Sequence, residues 1–331
     1  METSRIRKIF GVKSFTLIFV VVMVVAFFFI LNHNYLGIDN IKGILNAISL
    51  SGVIMVGMAC LLISGQIDLA AGSEACMGGV LAAVFIRGGM PWPAAVLVVL
   101  IYGVLAGLII SFLVNVLNIM SFIATIALAS VYAGLINVIT NSQTIAISNK
   151  SFWVIGTSGS IGVPIPFIIM AVLLIIYGII LSYTRFGRSV YMCGGNRVAA
   201  RLAGIDPKKI HTILFINNSV ISSLAGIVLA ARMHSGSPIG ASTAHFDAIT
   251  GAILGGVAFT GGTGGMFGSF LGLLLLTCFN NGLTVVNLQP YWQIVARGSL
   301  LIIALLIDFY RERARMKSMK FSNNLAIPAK S

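Results

Sequence analysis

Residues 164–211 read PIPFIIMAVLLIIYGIILSY and then TRFGRSVYMCGGNRVAARLAGIDPKKIH. The first part is uncharged and almost wholly apolar, whereas the second part holds six Lys or Arg side chains and one acid, Asp206. About 20 apolar residues are what a helix needs to cross the hydrocarbon core of a bilayer. An apolar run that leads into a basic loop predicts a membrane-spanning helix followed by a cytoplasmic segment.

The whole chain has the composition of a membrane protein. Hydrophobic residues make up 58% of it and charged residues 9%, where a soluble domain has about a quarter charged. Of 21 Lys and Arg, 16 lie in residues 1–14, 184–211 and 311–331, outside the apolar runs. A net charge of +13 would also suit nucleic acid, but this distribution is the positive-inside pattern, so we expect no nucleic-acid partner.

The fold class predicted is an all-α polytopic membrane protein with about ten transmembrane helices. An even number of spans keeps both termini on one side, and six spans precede the basic loop, which puts that loop in the cytoplasm with the termini. We divide the chain into an N-terminal cytoplasmic segment 1–14, a single transmembrane domain 15–310 containing the loop 184–211, and a basic cytoplasmic tail 311–331. The predicted spans are 15–32, 44–64, 72–87, 94–116, 121–140, 164–183, 212–232, 246–261, 265–282 and 292–309.

The basic loop contains a short helix whose two ends are marked. Asn196 can cap its start, Gly204 can close its end, and Pro207 prevents it from continuing. A helix of about two turns is marginal alone in water, so we expect it to dock against a partner. Its side chains fall on two sides, Val198, Leu202 and Ile205 on one and Arg197 and Arg201 on another.

Two glycine-rich breaks between apolar runs share one frame, a Gly, six residues and then Gly-Ser. They are GQIDLAAGS at residues 65–73 and GGTGGMFGS at residues 261–269. Irregular backbone at membrane depth is tolerated only where it is buried in protein or lines a wet cavity. Interrupted segments at corresponding positions indicate a transport path, with chance similarity between two glycine-rich turns as the alternative.

Charged and amide side chains also fall within or beside the predicted spans, where a central charge costs about 3 kcal/mol. We expect them to line a polar path or to pair, with Arg297 pairing with Glu74 or Asp68. Amides offer both donors and acceptors and suit a neutral hydroxylated solute, and hydrogen bonding between helices is the alternative. The candidates for the path are Asp68, Glu74, Asn115, Asn137, Asn218, Asn281, Gln293 and Arg297.

The sequence contains none of the common motifs for catalysis or for metal and nucleotide binding. It has no GxxxxGK[ST] phosphate loop, no HExxH and no GxSxG, and its four cysteines lack metal-ligand spacing. We therefore expect a non-catalytic subunit that itself binds no cofactor or metal.

Five stretches of the chain together are similar to a known family. They are residues 65–73, 184–188, 194–205, 246–256 and 261–269, in the same order. From about residue 45 to 310 the chain resembles the membrane subunit of bacterial ABC importers for monosaccharides, of the ribose-permease type. It departs from the family at Gln66, commonly glycine there, and at Ala70-Ala71, often serine-valine, and these departures leave the sugar open.

The resemblance implies a permease subunit in the bacterial cytoplasmic (inner) membrane that imports a neutral sugar or sugar-like solute. It implies pairing with a second permease copy or a sister permease, two ABC ATPase subunits that bind ATP-Mg, and an extracytoplasmic sugar-binding protein. It also implies that residues 187–205 form a coupling helix segment seated in a cleft of the ATPase. The ATPase-coupling residues would be Gly187, Arg188, Gly194, Gly195, Asn196, Ala200, Arg201, Leu202 and Gly204.

Two other functions fit parts of the sequence. A proton-coupled secondary transporter would use Asp68, Glu74 and Arg297, and its uptake would collapse with the proton gradient at constant ATP. A membrane-embedded enzyme or scaffold would rest on scattered polar residues and would turn over a substrate without net transport.

Overall fold

The computed structural model describes residues 12–157, 159 and 162–325, and these form a helical protein. Short 3-10 segments occupy His33–Leu36 and Val154–Gly156, and a π-helical turn, Phe112–Val116, continues the α-helix Trp92–Ser111. Two strands are β1 (Ile145–Ala146) and β2 (Ser235–Gly236). The α-helices are α1 (Val12–Leu31), α2 (Ile38–Ile63), α3 (Ala71–Arg87), α4 (Trp92–Ser111), α5 (Ser121–Thr140), α6 (Lys150–Trp153), α7 (Ile165–Tyr183), α8 (Arg185–Gly195), α9 (Arg197–Leu202), α10 (Pro207–Met233), α11 (Ala244–Leu254), α12 (Met266–Val285) and α13 (Pro290–Leu325).

Each predicted span overlaps one of these helices, which confirms an all-α polytopic membrane protein. The apolar part of α1, Phe15–Leu31, and helix α11, Ala244–Leu254, are shorter than the membrane-spanning segments named below. The predicted span 246–261 was wrong as a continuous helix, because α11 ends at Leu254 and Gly256 takes a φ of +93°. In the described part of the chain, seven helical segments are long and apolar enough to cross a bilayer: Ile38–Ile63, Trp92–Val116, Ser121–Thr140, Ile165–Tyr183, Pro207–Met233, Met266–Val285 and Tyr291–Tyr310.

The two predicted terminal segments are described only in part. Residues 1–11 of the predicted segment 1–14 lie outside the described residues, as do residues 326–331 of the tail. Helix α13 continues past residue 310 to Leu325, since the sequence there lacks Gly and Pro and is rich in Arg, Lys and Met, which favour helix.

Helix α10 forms the centre of the fold and packs against α2, α3 and α4. Small residues allow close contact: a Cβ on Gly103 of α4 would lie 2.8 Å from the Val220 Cα of α10. Close backbone approach is how helices associate inside a membrane, where lipid offers no hydrophobic drive between them. The buried face of α10 therefore sets the position of the polar side chains that it carries.

Strands β1 and β2 pair antiparallel, with Ile145 opposite Gly236 and Ala146 opposite Ser235. The connections that follow α5 and α10 therefore lie at the same end of the molecule. The basic segment with α8 and α9 lies at the other end of α10, and we call that end the loop end.

Helices α3 and α11 have 17 and 11 residues, and both begin inside the protein. Gly72 in the first turn of α3 lies against the segment before α11, where a Cβ would be 2.8 Å from the Ser242 carbonyl oxygen. The Ala241 N–H also donates to Cys76 Sγ at 3.3 Å. Non-helical backbone at 64–70 and 237–243 brings the chain to this depth, as the breaks in the sequence predict for 64–70. We call residues 64–70 the first connection and residues 255–265 the second connection.

Candidate functional site

The short helix in the basic loop has the ends that the sequence predicts. Asn196 Oδ1 accepts hydrogen bonds from the N–H groups of Val198 at 2.9 Å and Ala199 at 3.0 Å. Gly204 has a φ of +77°, and the next helix starts at Pro207. Helix α9 is thus a separate short element between two longer helices, fixed by local capping.

Helix α9 directs its apolar side chains away from the rest of the chain. Val198 is 67% exposed and Leu202 is 86% exposed, whereas Ala200 on the opposite side is fully buried. Arg197 and Arg201 are also exposed. An exposed apolar side flanked by cations agrees with the expectation that this helix docks against another protein, which stays a prediction.

The last turn of α8 packs onto both glycine-rich connections. A Cβ on Gly194 would overlap the Ile63 carbonyl oxygen and would lie 2.6 Å from the Gly262 nitrogen. The Gly262 N–H donates to the Ile63 carbonyl at 2.8 Å, and a Cβ on Gly261 would lie 2.9 Å from the Gly65 Cα. We call this backbone contact of Ile63, Gly65, Gly194, Gly261 and Gly262 the glycine junction.

Two side chains extend the glycine junction. The Tyr191 hydroxyl donates to the Gly264 carbonyl at 2.8 Å, and Arg197 Nη2 donates to the Gly65 carbonyl at 3.4 Å. Burial raises the pKa of the Cys193 thiol, which suits an apolar filler rather than a reactive group. The sequence pattern shared by residues 65–73 and 261–269 predicted both connections. It did not predict that the two connections contact each other next to α8.

The first connection leads into two carboxyl groups that are completely buried. Asp68 Oδ1 accepts from the Ala70 N–H at 2.8 Å, and its Oδ2 accepts from Asn218 Nδ2 at 2.8 Å. Glu74 Oε1 accepts from the Ser219 hydroxyl at 2.8 Å. Because Asn218 lies 11 residues into α10, Asp68 sits roughly 16 Å from the start of that helix, well inside the protein.

Several buried oxygens around these carboxyls have no hydrogen-bond partner among the described residues. They include Glu74 Oε2, Ser222 Oγ and the hydroxyls of Tyr102 and Tyr132, whose rings lie edge to face at 6.2 Å. Both tyrosines interact electrostatically with Glu74 and Asp68. Unpaired buried oxygens are the groups that a bound water or a solute hydroxyl would satisfy. The core polar cluster, as we name it, consists of Asp68, Glu74, Tyr102, Tyr132, Asn218, Ser219 and Ser222.

The predicted pairing of Arg297 with Glu74 or Asp68 was wrong. Arg297 Nε lies 3.2 Å from Asp247 Oδ1, which joins α13 to α11. The physical reason is packing: α13 contacts α11 and α12, whereas the two other carboxyls are enclosed where α3 meets α10. Asp308 further along α13 accepts from the Phe259 N–H at 3.0 Å, so this helix also holds the second connection.

Of the eight predicted path residues, the structure brings Asp68, Glu74 and Asn218 together and places the other amides elsewhere. Two of these four amides bond locally and two bond to another helix, and the latter fit the alternative of hydrogen bonding between helices. Asn115 donates to the Lys208 carbonyl at 3.2 Å, Asn137 to the Ala133 carbonyl at 3.0 Å, Asn281 to Asn40 Oδ1 at 3.0 Å, and Gln293 to the Leu288 carbonyl at 2.9 Å.

Comparison with known proteins identifies the family. Residues 40–305 match the family model described as the permease component of the branched-chain amino acid transport system. The chain belongs to this permease family. This match covers most of the chain, from the first turn of α2 through α12, with both connections and the basic loop.

Individual permeases match along nearly their whole length. The ribose import permease protein RbsC of Haemophilus influenzae is 31% identical over 302 residues, which cover 90% of this chain and 93% of the relative. The L-arabinose transport system permease protein AraH of Escherichia coli is 33% identical over 290 residues, 85% of this chain and 86% of the relative. The ribose import permease protein RbsC of Bacillus subtilis is 32% identical over 293 residues, 88% and 90% of the two chains. No solved structure matches this chain.

These relatives confirm the resemblance to ribose-type permeases and favour that function over a proton-coupled carrier. With its apolar helices, the permease is a multi-pass protein of the bacterial inner membrane.

Proposed function

We propose that this permease imports a neutral sugar or a sugar-like solute as part of an ATP-driven complex. The matched relatives are named for ribose and arabinose, which are uncharged and rich in hydroxyl groups. The core polar cluster offers amide, hydroxyl and carboxyl oxygens, which can exchange hydrogen bonds with such a solute. Contacts in the path need to stay weak enough for release.

The exposed apolar side of α9 carries the proposal of an ATPase partner. Leu202, 86% exposed, and Val198 would enter a cleft of the ATPase, with Arg197 and Arg201 at the edge. The chain itself lacks a phosphate loop, so ATP-Mg would bind to the partner and this subunit would be non-catalytic. The loop end would then face the cytoplasm.

The glycine junction supplies the mechanical link in this proposal. When ATP binding moves the docked α9, α8 moves with it, and α8 touches the first and second connections through their backbones. Such close contacts without intervening side chains transmit displacement because neither side can yield without overlap. Helix α3 begins at the first connection and α11 ends at the second, so access to the core would change when the loop moves.

The remaining partners follow from the same proposal. A second permease copy or a sister permease would complete the path, and an extracytoplasmic sugar-binding protein would deliver solute at the end opposite the loop end. Residues 187–205 with their glycines, Arg188, Asn196, Ala200 and Arg201 would form the coupling segment. Asp68, Glu74 and Asn218 are the path residues that we retain.

A substitution at Leu202 tests the ATPase contact. We expect Leu202→Glu to lower co-purification of the cognate ATPase and sugar uptake at least about tenfold, because it places a charge at the centre of an apolar contact. The amount of permease in the membrane should not change, since the side chain is exposed. Ile239→Glu is the matched control, because Ile239 is 73% exposed and lies near β2 at the opposite end. Unchanged ATPase co-purification with Leu202→Glu would contradict the assignment of α9.

Energy coupling separates this proposal from the proton-coupled alternative. Uptake should persist when the proton gradient is dissipated at constant ATP, and candidate sugars should stimulate ATP hydrolysis by the purified complex. Collapse of uptake under those conditions would favour the carrier.

A further inference from the structure

A groove that the proposed transport cycle does not use opens at the loop end, between the end of α4 and the start of α10. Its volume is ≈ 490 Å³. Buried polar side chains form its base, two lysines stand at its edge, and apolar side chains form one wall. The lining residues are Ser111, Asn115, Val116, Lys208, Lys209, Thr212 and Ile213.

Hydrogen bonds hold the base of the groove in shape. Asn115 is 7% exposed, and its Nδ2 donates to Thr212 Oγ1 at 3.0 Å and to the Lys208 carbonyl at 3.2 Å. Ser111 Oγ lies 2.7 Å from Thr212 Oγ1. The groove is therefore preformed, because its base is tied to the first two turns of α10.

The rim of the groove is positively charged. Lys208 and Lys209 are exposed and belong to the first turn of α10, a 27-residue helix whose amino end adds positive potential. The nearest acid in sequence, Asp206, accepts a hydrogen bond from the Lys208 N–H at 3.0 Å as the cap of that helix. An anion at this rim would meet two ammonium groups.

The apolar wall continues into the outer surface of the helices. Val116 and Ile213 are 60% and 50% exposed, and Phe112, Leu117 and Met120 beside them are 52%, 52% and 69% exposed. Exposed apolar side chains at the ends of membrane-spanning helices are suited to contact with acyl chains. The groove thus lies between an apolar outer surface and a charged rim. This combination suits an amphiphilic ligand better than a purely cytosolic partner.

We propose that this groove binds the headgroup of an anionic phospholipid from the cytoplasmic leaflet. The phosphate would lie between Lys208 and Lys209, and the acyl chains would run along Val116 and Ile213. The inference rests on the cytoplasmic orientation of the loop end in the proposed function. A bound lipid would anchor the start of α10 directly after the coupling segment.

Native mass spectrometry of the purified full chain tests this site. Phosphatidylglycerol and phosphatidylcholine are titrated separately, with inorganic phosphate as a competitor. We expect retention of phosphatidylglycerol over phosphatidylcholine, no competition by phosphate, and about tenfold weaker phosphatidylglycerol binding in the double variant Lys208→Gln with Lys209→Gln. Ile213→Glu, which introduces an acid into the wall, should weaken binding as well.

The matched control removes the same charge from the same loop. Arg185→Gln with Arg188→Gln changes two exposed cations on α8 outside the groove and should leave phosphatidylglycerol binding unchanged. Equal binding by the lysine variant, an equal loss in the arginine control, or competition by phosphate alone would overturn the proposal. Loss of ATPase co-purification by the lysine variant in lipid-free detergent would assign the groove to a protein contact instead. None of these measurements needs a sugar, so their failure leaves the proposed import function standing.

Discussion

The first and second connections share a sequence frame and meet at the glycine junction, yet different interactions fix them. In the first connection, side chains from neighbouring helices bind the backbone and its carboxylate: the Leu69 N–H donates to Thr125 Oγ1 at 3.0 Å, and Asn218 donates to Asp68. In the second connection, the bonds are largely backbone to backbone, such as Ala258 N–H to the Thr263 carbonyl at 3.2 Å. Its positive-φ glycines are Gly256, Gly261, Gly262 and Gly264.

One sequence frame can therefore break a helix in two physically distinct ways. The first connection depends on hydrogen bonds to a buried carboxyl group, so it should be sensitive to loss of a hydrogen-bond donor. The second depends on backbone shape, so it should be sensitive to any added side-chain atom. Three substitution pairs separate these sensitivities.

The largest effect should come from Gly194, because it touches both connections at once. Gly194→Ala would place a Cβ over the Ile63 carbonyl oxygen and 2.6 Å from the Gly262 nitrogen. We expect a loss of about 3 kcal/mol in stability, measured as a lower thermal unfolding midpoint of the purified chain, with uptake abolished.

Gly195→Ala is the control for that substitution. A Cβ at Gly195 meets no other part of the described chain within 4 Å, so this neighbour should keep its unfolding midpoint. If the two alanine variants behaved alike, the glycine junction would have no role in packing.

Asn218→Leu tests the first connection. The change leaves the fully buried Asp68 without its side-chain donor, at a cost of about 2 to 3 kcal/mol in unfolding free energy. Asn137→Leu makes the same chemical change at an exposed amide that bonds only within its own helix, so it should be nearly neutral. Comparable unfolding midpoints for the two leucine variants would show that Asp68 does not need Asn218.

Gly261 and Gly256 separate two requirements in the second connection. Both have positive φ, +91° and +93°, but only Gly261 has a neighbouring backbone, with the Gly65 Cα 2.9 Å from an added Cβ. Gly256→Ala should cost about 1 kcal/mol from the left-handed backbone alone, and Gly261→Ala should cost more. Unfolding midpoints of the two variants measure the difference, and a larger effect at Gly256 would place the junction contact in doubt.

Much of the fold was predictable because it depends on local composition. Runs of apolar residues located the helices, and the lack of a breaker explains why α13 passes residue 310. Asn196 and Gly204 marked α9 because capping involves neighbouring residues only. The end of α11 at Leu254 was missed because the residues after Gly256 remain apolar although the backbone there turns.

The candidate site was less predictable, because its partners lie far apart in the chain. From the sequence, Arg297 was predicted to pair with Asp68 or Glu74. In the packed helices Arg297 pairs with Asp247 instead. In the sequence, Asn218 is one of many amides. Only the packing of the helices brings it within hydrogen-bond distance of Asp68, which lies 150 residues away in the chain.

The sequence alone predicts that this is a membrane protein, that the basic loop holds a capped helix, and that two segments are interrupted. Each of these features depends on hydropathy, charge or turn chemistry within a few residues. Two features depend only on tertiary packing. Helix α8 contacts both connections, and Asp68 and Glu74 lie in one buried cluster with Asn218. Those contacts depend on which helix faces α10, and the close approach of small residues on several helices, rather than any local preference, determines that choice.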